Sequence, residues 1–363
     1  MKINPHSRSS GIALIAVMIA IFVLSVLAGA FAYAMKVETK LAMNASHETD
    51  LQWLGRSGVE YARWVLGQQL LITQEPYDSL NQKWAGGPGG LASSNSPLAD
   101  VQLENVHVGN GTFSLKIKDL ERKVNINNAD QSLLQQALTL MGVDASEISY
   151  VADGILDWID ADDATHINGA ESDYYEGLDP AYSAKNAPID DLSELLLIKG
   201  VTQDMYWGAA STNHSSAFFQ KVDRFGNLLE GPAYTAGLAD IFTPLSSGRI
   251  NINTASATTL QMIPGVDEVI AGNIIKIRSG PDGADGTEDD MPFQNVGELR
   301  TAGMGQQGGQ ALQVLSRYCT VRSSTFEVEI DAQIGGSHKK FFAVLGRANQ
   351  RDIQILSFFS KDQ

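Results

Sequence analysis

The 363-residue chain has a single cysteine, Cys319. That excludes an intrachain disulfide and any zinc site built from several thiolates. Cationic residues are also scarce: 26 Lys and Arg stand against 42 Asp and Glu, a formal net charge of −16. Binding a polyphosphate needs clustered cation, which this balance opposes. There is no G-x-S-x-G, no P-loop and no H-E-x-x-H, and none of the six histidines has metal-ligand or triad spacing. A metal-dependent nuclease would need a cationic substrate channel beside its carboxylates, and the acidic segments here have no such neighbours. The expectation is a non-enzyme without a nucleic-acid partner. Hydrophobic content of 44% is enough for a sizeable core, and the length suits about two domains.

Charge is missing altogether between Arg8 and Lys36. Ile12 to Met35 is apolar throughout and, as a helix, about 36 Å long, enough to cross a bilayer. Lys2 and Arg8 precede it, while Lys36, Glu38 and Lys40 follow, so flanking charge favours a cytoplasmic N-terminus only mildly. Three readings fit these residues. Ala28-Gly29-Ala30 offers a small-residue site for release of a secretory signal. The run also suits a plain membrane anchor. The third reading rests on the short charged leader ending in Gly11, directly before the apolar run. It resembles the leader of type IV pilins and pseudopilins, which prepilin peptidase cuts after the glycine. Cleavage between Gly11 and Ile12 would make Ala16 the fifth mature residue, where most pilins have glutamate. A carboxylate in the bilayer is expensive unless paired, so a subunit without it lacks a hook for a subunit ahead.

Beyond the apolar run, Leu51, Leu54, Gly58, Ala62 and Val65 recur at helical spacing and predict one apolar stripe. Ala85 to Pro97 reads as a loop. Val106-His107-Val108, Gly109-Asn110-Gly111 and Thr112 to Ile117 read as a β-hairpin. Thr325 to Ile334, Lys340 to Leu345 and Ile353 to Phe359 supply further strands around Gly335-Gly336-Ser337. Strand signals thus flank a mostly helical middle. The fold expected is α+β: a long N-terminal transmembrane and stalk helix packed on a small antiparallel sheet, with a large inserted α-helical domain. The boundaries are a leader at 1–11, a transmembrane helix at 12–35 and a stalk with its following segment at 36–84. A linker and hairpin at 85–122 precede the inserted domain at 123–315, and terminal strands fill 316–363.

The inserted region contains a repeat. Val124-Asn125-Ile126-Asn127-Asn128-Ala129 matches Ile250-Asn251-Ile252-Asn253-Thr254-Ala255, and Leu192-Ser193-Glu194-Leu195 matches Val296-Gly297-Glu298-Leu299. The order suggests duplicated helix-hairpin-helix-like units. Ile250 to Arg278 resembles the hairpin that many DNA-binding proteins use to grip phosphate. Asp267-Glu268 follows its Pro264-Gly265-Val266 turn and would repel phosphate there, which favours a structural hairpin. A membrane-anchored DNA-binding or uptake protein is the rival reading.

From Asp153 to Asp179 there are nine Asp and Glu and no Lys or Arg. Asp153, Asp157 and Asp160 fall on one helix face, with Trp158 turned inward. Two readings fit: a solvated acidic face, or a surplus of oxygen donors for Ca²⁺, which takes six to eight oxygens. Asp282, Asp285, Glu288 and Asp290 form a second calcium-like loop, for which an exposed Asp-Gly turn is an equal alternative. Trp207 to Thr243 and the 281–291 loop look like insertions.

Asp157-Trp158-Ile159-Asp160-x-Asp162, then Gly169-Ala170-Glu171, Tyr174, Asn186-x-Pro188, Ser193-Glu194-Leu195 and Lys199-Gly200 resemble the signature of type II secretion system protein K. The family consists of minor pseudopilins. The resemblance implies a pseudopilin fold with an α-domain that binds calcium, and carries ligand roles to Asp160, Asp162, Glu171, Asp173 and Asn186. It further implies cleavage by prepilin peptidase at Gly11/Ile12 and methylation of the new amine. The chain would sit single-pass in the inner membrane with its C-terminal domain in the periplasm. Minor pseudopilins I and J and the major pseudopilin would be its partners, at a pseudopilus tip whose assembly it helps begin.

Overall fold

The computed structural model describes residues 10–90, 96–210, 234–303 and 316–361. Helix α1 (Ser10–Gln69) runs unbroken for 60 residues. No proline interrupts it, so no rung of its hydrogen-bond ladder is lost. Its N-terminal part is exposed and is the one helix, among the described residues, long and apolar enough to cross a membrane. Further on, the apolar residues narrow to a stripe, and Leu51, Leu54, Ala62 and Val65 are buried as their spacing predicts. Trp53 and Trp64 remain on the exposed side.

The strands are β1 (Val106–Val108), β2 (Gly111–Asp119), β3 (Val124–Asn125), β4 (Phe242–Thr243), β5 (Ile250–Asn251), β6 (Cys319–Thr320), β7 (Thr325–Ile334), β8 (Ser337–Arg347) and β9 (Ile353–Lys361). Five of them form an antiparallel sheet in the order β1-β2-β7-β8-β9. The β1–β2 hairpin pairs Val106 with Phe113 and turns at Gly109, whose φ of 57° suits glycine. Alternation in β2 and β7 turns Phe113, Leu115, Ile117, Phe326, Val328 and Ile330 toward α1. Two helix glycines permit close approach. A Cβ on Gly55 would lie 2.6 Å from the Phe341 ring, and one on Gly58 would lie 2.8 Å from Ile330.

A second hydrophobic core lies in the helical region between β2 and β7. Its main helices are α2 (Gln131–Met141), α3 (Ala145–Ile159), α4 (Ser172–Tyr175), α5 (Gln203–Trp207), α6 (Leu238–Ile241), α7 (Ala257–Leu260) and α8 (Glu268–Arg278). The two Asn-Ile-Asn segments make the same bonds. Asn125 Oδ1 accepts from the Asn127 amide, and Asn251 Oδ1 accepts from the Asn253 amide. Asn127 then clamps the backbone of Ile189 with a donor and an acceptor, as Asn253 clamps Phe293. Each following helix pair turns on a glycine of positive φ, Gly142 (88°) and Gly265 (84°). An aspartate caps the next helix in both cases, Asp144 for α3 and Asp267 for α8.

The expectation that 316–324 belongs with the terminal strands needs correction. Cys319 and Thr320 pair in parallel with Ile250 and Asn251, and Cys319 is buried in the helical core. The chain joins the large sheet only at Thr325.

The two cores meet at a buried polar junction. Asp119, at the end of β2, accepts from Asn251 Nδ2 (3.0 Å), Thr254 Oγ1 (2.6 Å) and Ser323 Oγ (2.7 Å). Glu121 accepts from the amides of Ser247 and Thr325 and from Ser324 Oγ. Beside them Arg347 of β8 forms a buried ion pair with Asp78, from the segment after α1. Buried ions are tolerated when paired and hydrogen-bonded, and here those partners come from both cores.

Candidate metal centre

Helix α3 packs Val151, Ala152, Ile155 and Trp158 into the helical core. Trp158 meets Tyr175 and Tyr182 edge-on at 5.3 and 6.4 Å. This packing carries Asp153 and Asp157 inward with the apolar residues, and places Asp160 at the helix C-cap. The solvated-face reading therefore fails for the first two carboxylates, which are 3% and 0% exposed.

Asp153 is fully engaged. Gln131 Nε2 donates to one oxygen, and the amide and side chain of Asn168 donate to the other, fixing the loop after α3. Asp157 is not. Its Oδ1 accepts from the His166 amide at 3.1 Å and faces His166 Nδ1, while Oδ2 is buried without a partner. Asp160 Oδ1, both carboxylate oxygens of Glu171 and Asn186 Oδ1 are likewise buried and unpartnered. Asn186 has a φ of 46°, a left-handed conformation that Asn tolerates. Its Nδ2 donates to the Asp162 carbonyl (3.1 Å) and Asp163 Oδ1 (2.8 Å), which commits the nitrogen and leaves the oxygen free. Lys199 donates to the Gly169 carbonyl at 3.0 Å and stands over the Tyr174 ring, so the chain before Glu171 is held from outside the acidic loop.

The electrostatics match this geometry. Burial pushes the Glu171 carboxyl up to about 7, with the charges of Asp157 and Asp160 adding to the shift. Asp160 is raised by burial and by Asp162 and Asp157. His166 is raised chiefly by its bond to Asp157. A buried carboxylate without a partner costs several kcal/mol, on the order of the desolvation penalty itself. Glu171 is near enough to Asp157 and Asp160 to feel their charges, and a surplus of buried oxygen donors of this kind fits a hard divalent cation such as Ca²⁺.

Of the ligands expected from sequence, Asp160 clusters with Asp157 and His166, Glu171 lies near enough for the charges of Asp157 and Asp160 to act on it, and Asn186 is tied to Asp162 and Asp163. Asp162 has an exposed side chain that accepts from the Ala164 amide, and only its carbonyl meets the Asn186 side chain. Asp173 is exposed in the first turn of α4. Asp157 and His166 were not among the expected ligands, yet with Asp160 they offer atoms within 4.8 Å of one another. The signals for Asp157 are its helical spacing from Asp160 and its place at the head of the Asp157-Trp158-Ile159-Asp160 segment.

The second acidic loop is closed upon itself. Buried Arg278 engages both Asp285 oxygens at 3.0 and 2.6 Å, and also donates to the carbonyls of Ile252 and Ala255. Asp282 accepts from the Ala284 amide, and Asp290 accepts from the Gly286 amide. Glu288 is exposed. Asp282, Asp285, Glu288 and Asp290 thus present no buried unpartnered oxygen. Gly11 and Ile12 lie in the first turn of α1. Most of the Trp207–Thr243 segment lies outside the described residues.

Comparison with known proteins agrees with this architecture. The family model of type II secretion system protein K matches residues 111–210, and a helix-hairpin-helix model matches 246–282. Type II secretion system protein K of Pseudomonas aeruginosa is 24% identical over 353 residues, covering 96% of this chain and 92% of that protein. The Aeromonas hydrophila protein of the same name is 26% identical over 55% of this chain and 61% of its own length. A chain in the crystal structure of the GspK-GspI-GspJ complex from the type 2 secretion system of enterotoxigenic Escherichia coli has the same fold. Its TM-score is 0.62 at 15% identity, covering 89% of this chain and 99% of that one. The chain is thus similar to type II secretion system protein K, in sequence along nearly its whole length and in fold.

Proposed function

We propose that this chain caps the pseudopilus of a type II secretion system and helps begin its assembly. The observation that carries this reading is α1: one continuous helix that is apolar for a membrane's thickness and then packs on the sheet. In this reading prepilin peptidase cuts between Gly11 and Ile12, the new amine is methylated, and the apolar helix remains in the inner membrane with the head in the periplasm. Ala16 leaves the mature helix without an acidic hook, which suits a subunit with none ahead of it. Pseudopilins I and J pack against it through their helices, by analogy with the complex named above, and the major pseudopilin follows below. The two Asn-clamped helix pairs act as duplicated structural units.

Calcium is the structural ion of the head in this account. Asp157, Asp160, Glu171 and Asn186 would hold it through the oxygens described above, and the ion would supply the positive charge that the cluster lacks. The protein has no catalytic role. The DNA-binding rival is disfavoured by the hairpin itself. Asp267 and Glu268 follow its turn directly, as N-cap and first residue of α8, and Arg278 is buried in its ion pair with Asp285.

Mass spectrometry of the mature N-terminus, on protein from native membranes, tests the reading. A chain starting at methylated Ile12 supports it. A start near Phe31 would mean signal-peptide release, and an uncut Met1 a plain anchor; either removes the tip assignment.

A further inference from the structure

The acidic centre holds one group that calcium does not need. His166 projects Nδ1 into the space shared with Asp157 and Asp160, and its ring is partly exposed at the mouth of the loop. Ca²⁺ prefers oxygen donors, whereas imidazole suits Zn²⁺ and its first-row neighbours. Two carboxylates and one imidazole within 4.8 Å of one another are donor chemistry that zinc takes.

The second observation is the state of the carboxylates. Asp157 is wholly buried with Oδ2 unpartnered, and both Glu171 oxygens are unpartnered although the residue is only 4% exposed. The cluster therefore has unused buried donors beside the histidine, which exposed acidic turns lack. The His166 amide also donates to Asp157 Oδ1, tying that residue's backbone to α3. The imidazole is thus delivered by a fixed loop, not by a free surface side chain.

We infer that the Asp157–Asp160–His166 cluster, with Glu171, is a mixed nitrogen–oxygen site that takes Zn²⁺ or a similar transition metal in competition with Ca²⁺. This rests on the reading of the acidic centre as a metal site. For a metal to enter, His166 must release its contact with Asp157 and turn the same nitrogen onto the ion. Occupancy then depends on which cation dominates, with His166 setting the preference.

The test uses the full chain in detergent, stripped by chelator and titrated calorimetrically with CaCl₂ and with ZnCl₂. Zn²⁺ is expected to bind and to displace Ca²⁺. His166→Gln should weaken Zn²⁺ by about tenfold or more, the scale on which a metal's surroundings tune affinity, without weakening Ca²⁺. His166→Asp exchanges nitrogen for oxygen and should shift the preference toward Ca²⁺. Zn²⁺ affinity unaffected by His166→Gln, or bound Ca²⁺ that Zn²⁺ fails to displace, overturns the inference and leaves the histidine as an internal counter-charge. Failure of the calcium reading looks different: the wild-type chain would bind no Ca²⁺ while retaining His166-dependent Zn²⁺ binding, which supports the inference.

Discussion

Gly169 stands against Asp157 so closely that a Cβ added to it would lie 2.6 Å from the aspartate Cγ, and closer still to Oδ2. The glycine of the Gly169-Ala170-Glu171 segment is therefore the space that the Asp157 carboxylate occupies. Gly169→Ala must displace either the carboxylate or the loop. We expect a loss of about 1–3 kcal/mol, the usual result of overpacking. Calcium affinity should fall as well, measured by calorimetry on the full chain. Unchanged calcium binding would mean that Asp157 is not part of the site.

Asp160→Ala removes one donor and leaves the other acids in place. Calcium should raise the melting temperature of the wild-type chain, because a ligand bound only to the folded state stabilises it by mass action. In the variant that gain should shrink. Equal melting with calcium and with chelator, in the wild-type chain, would take calcium out of the account.

Glu171 gives the calcium-free protein a pH dependence of definite sign. Its pKa is raised on folding from 4.5 to about 7, so between those values the folded state holds more protons than the unfolded one. Its contribution to stability is fully present below the unfolded value and is lost as pH rises through 7, a change of up to about 3 kcal/mol. Melting of chelated protein at pH 5 and 7.5 should show the decline, and Glu171→Gln should flatten it. A slope that survives the substitution would assign the effect to other groups.

The contact of the stalk with the sheet depends on two missing side chains. Gly55→Val and Gly58→Val would drive branched groups into Phe341 and Ile330. Each should cost about 1–3 kcal/mol or more, and denaturant midpoints would report it. Midpoints equal to wild type would show that α1 stands off the sheet.

The paired clamps predict paired losses. Asn127→Ala and Asn253→Ala each leave a buried amide and carbonyl unpartnered, at Ile189 and Phe293. Each should cost about 1–3 kcal/mol, the penalty for an unmade buried hydrogen bond. A neutral effect at either position would end the equivalence of the two segments.

Local pattern made much of this fold legible. The stripe from Leu51 to Val65 is a property of one helix, and Gly109-Asn110 marks its hairpin because two-residue turns favour such residues. The centre was only partly legible, because ligand choice is decided by residues distant in sequence. Asp153 looks like Asp157 in the sequence, but Gln131 and Asn168 consume the first and leave one oxygen of the second free. Asp285 likewise reads as a calcium donor until buried Arg278 is seen to claim it. The start of the terminal sheet was misplaced for the same reason: Cys319 and Thr320 are strand-like, and their partner is Ile250–Asn251 in the helical region.

The junction of Asp119, Asn251, Ser323 and the Asp78–Arg347 pair bears on mechanics. A pivot between two bodies works when few buried bonds must break as they swing. Here the carboxylates and guanidinium would each be stripped of partners inside a dry seam by even a small rotation. Load applied along the long N-terminal helix therefore reaches the acidic loops through a weld, and that end of the head travels with the helix as one body.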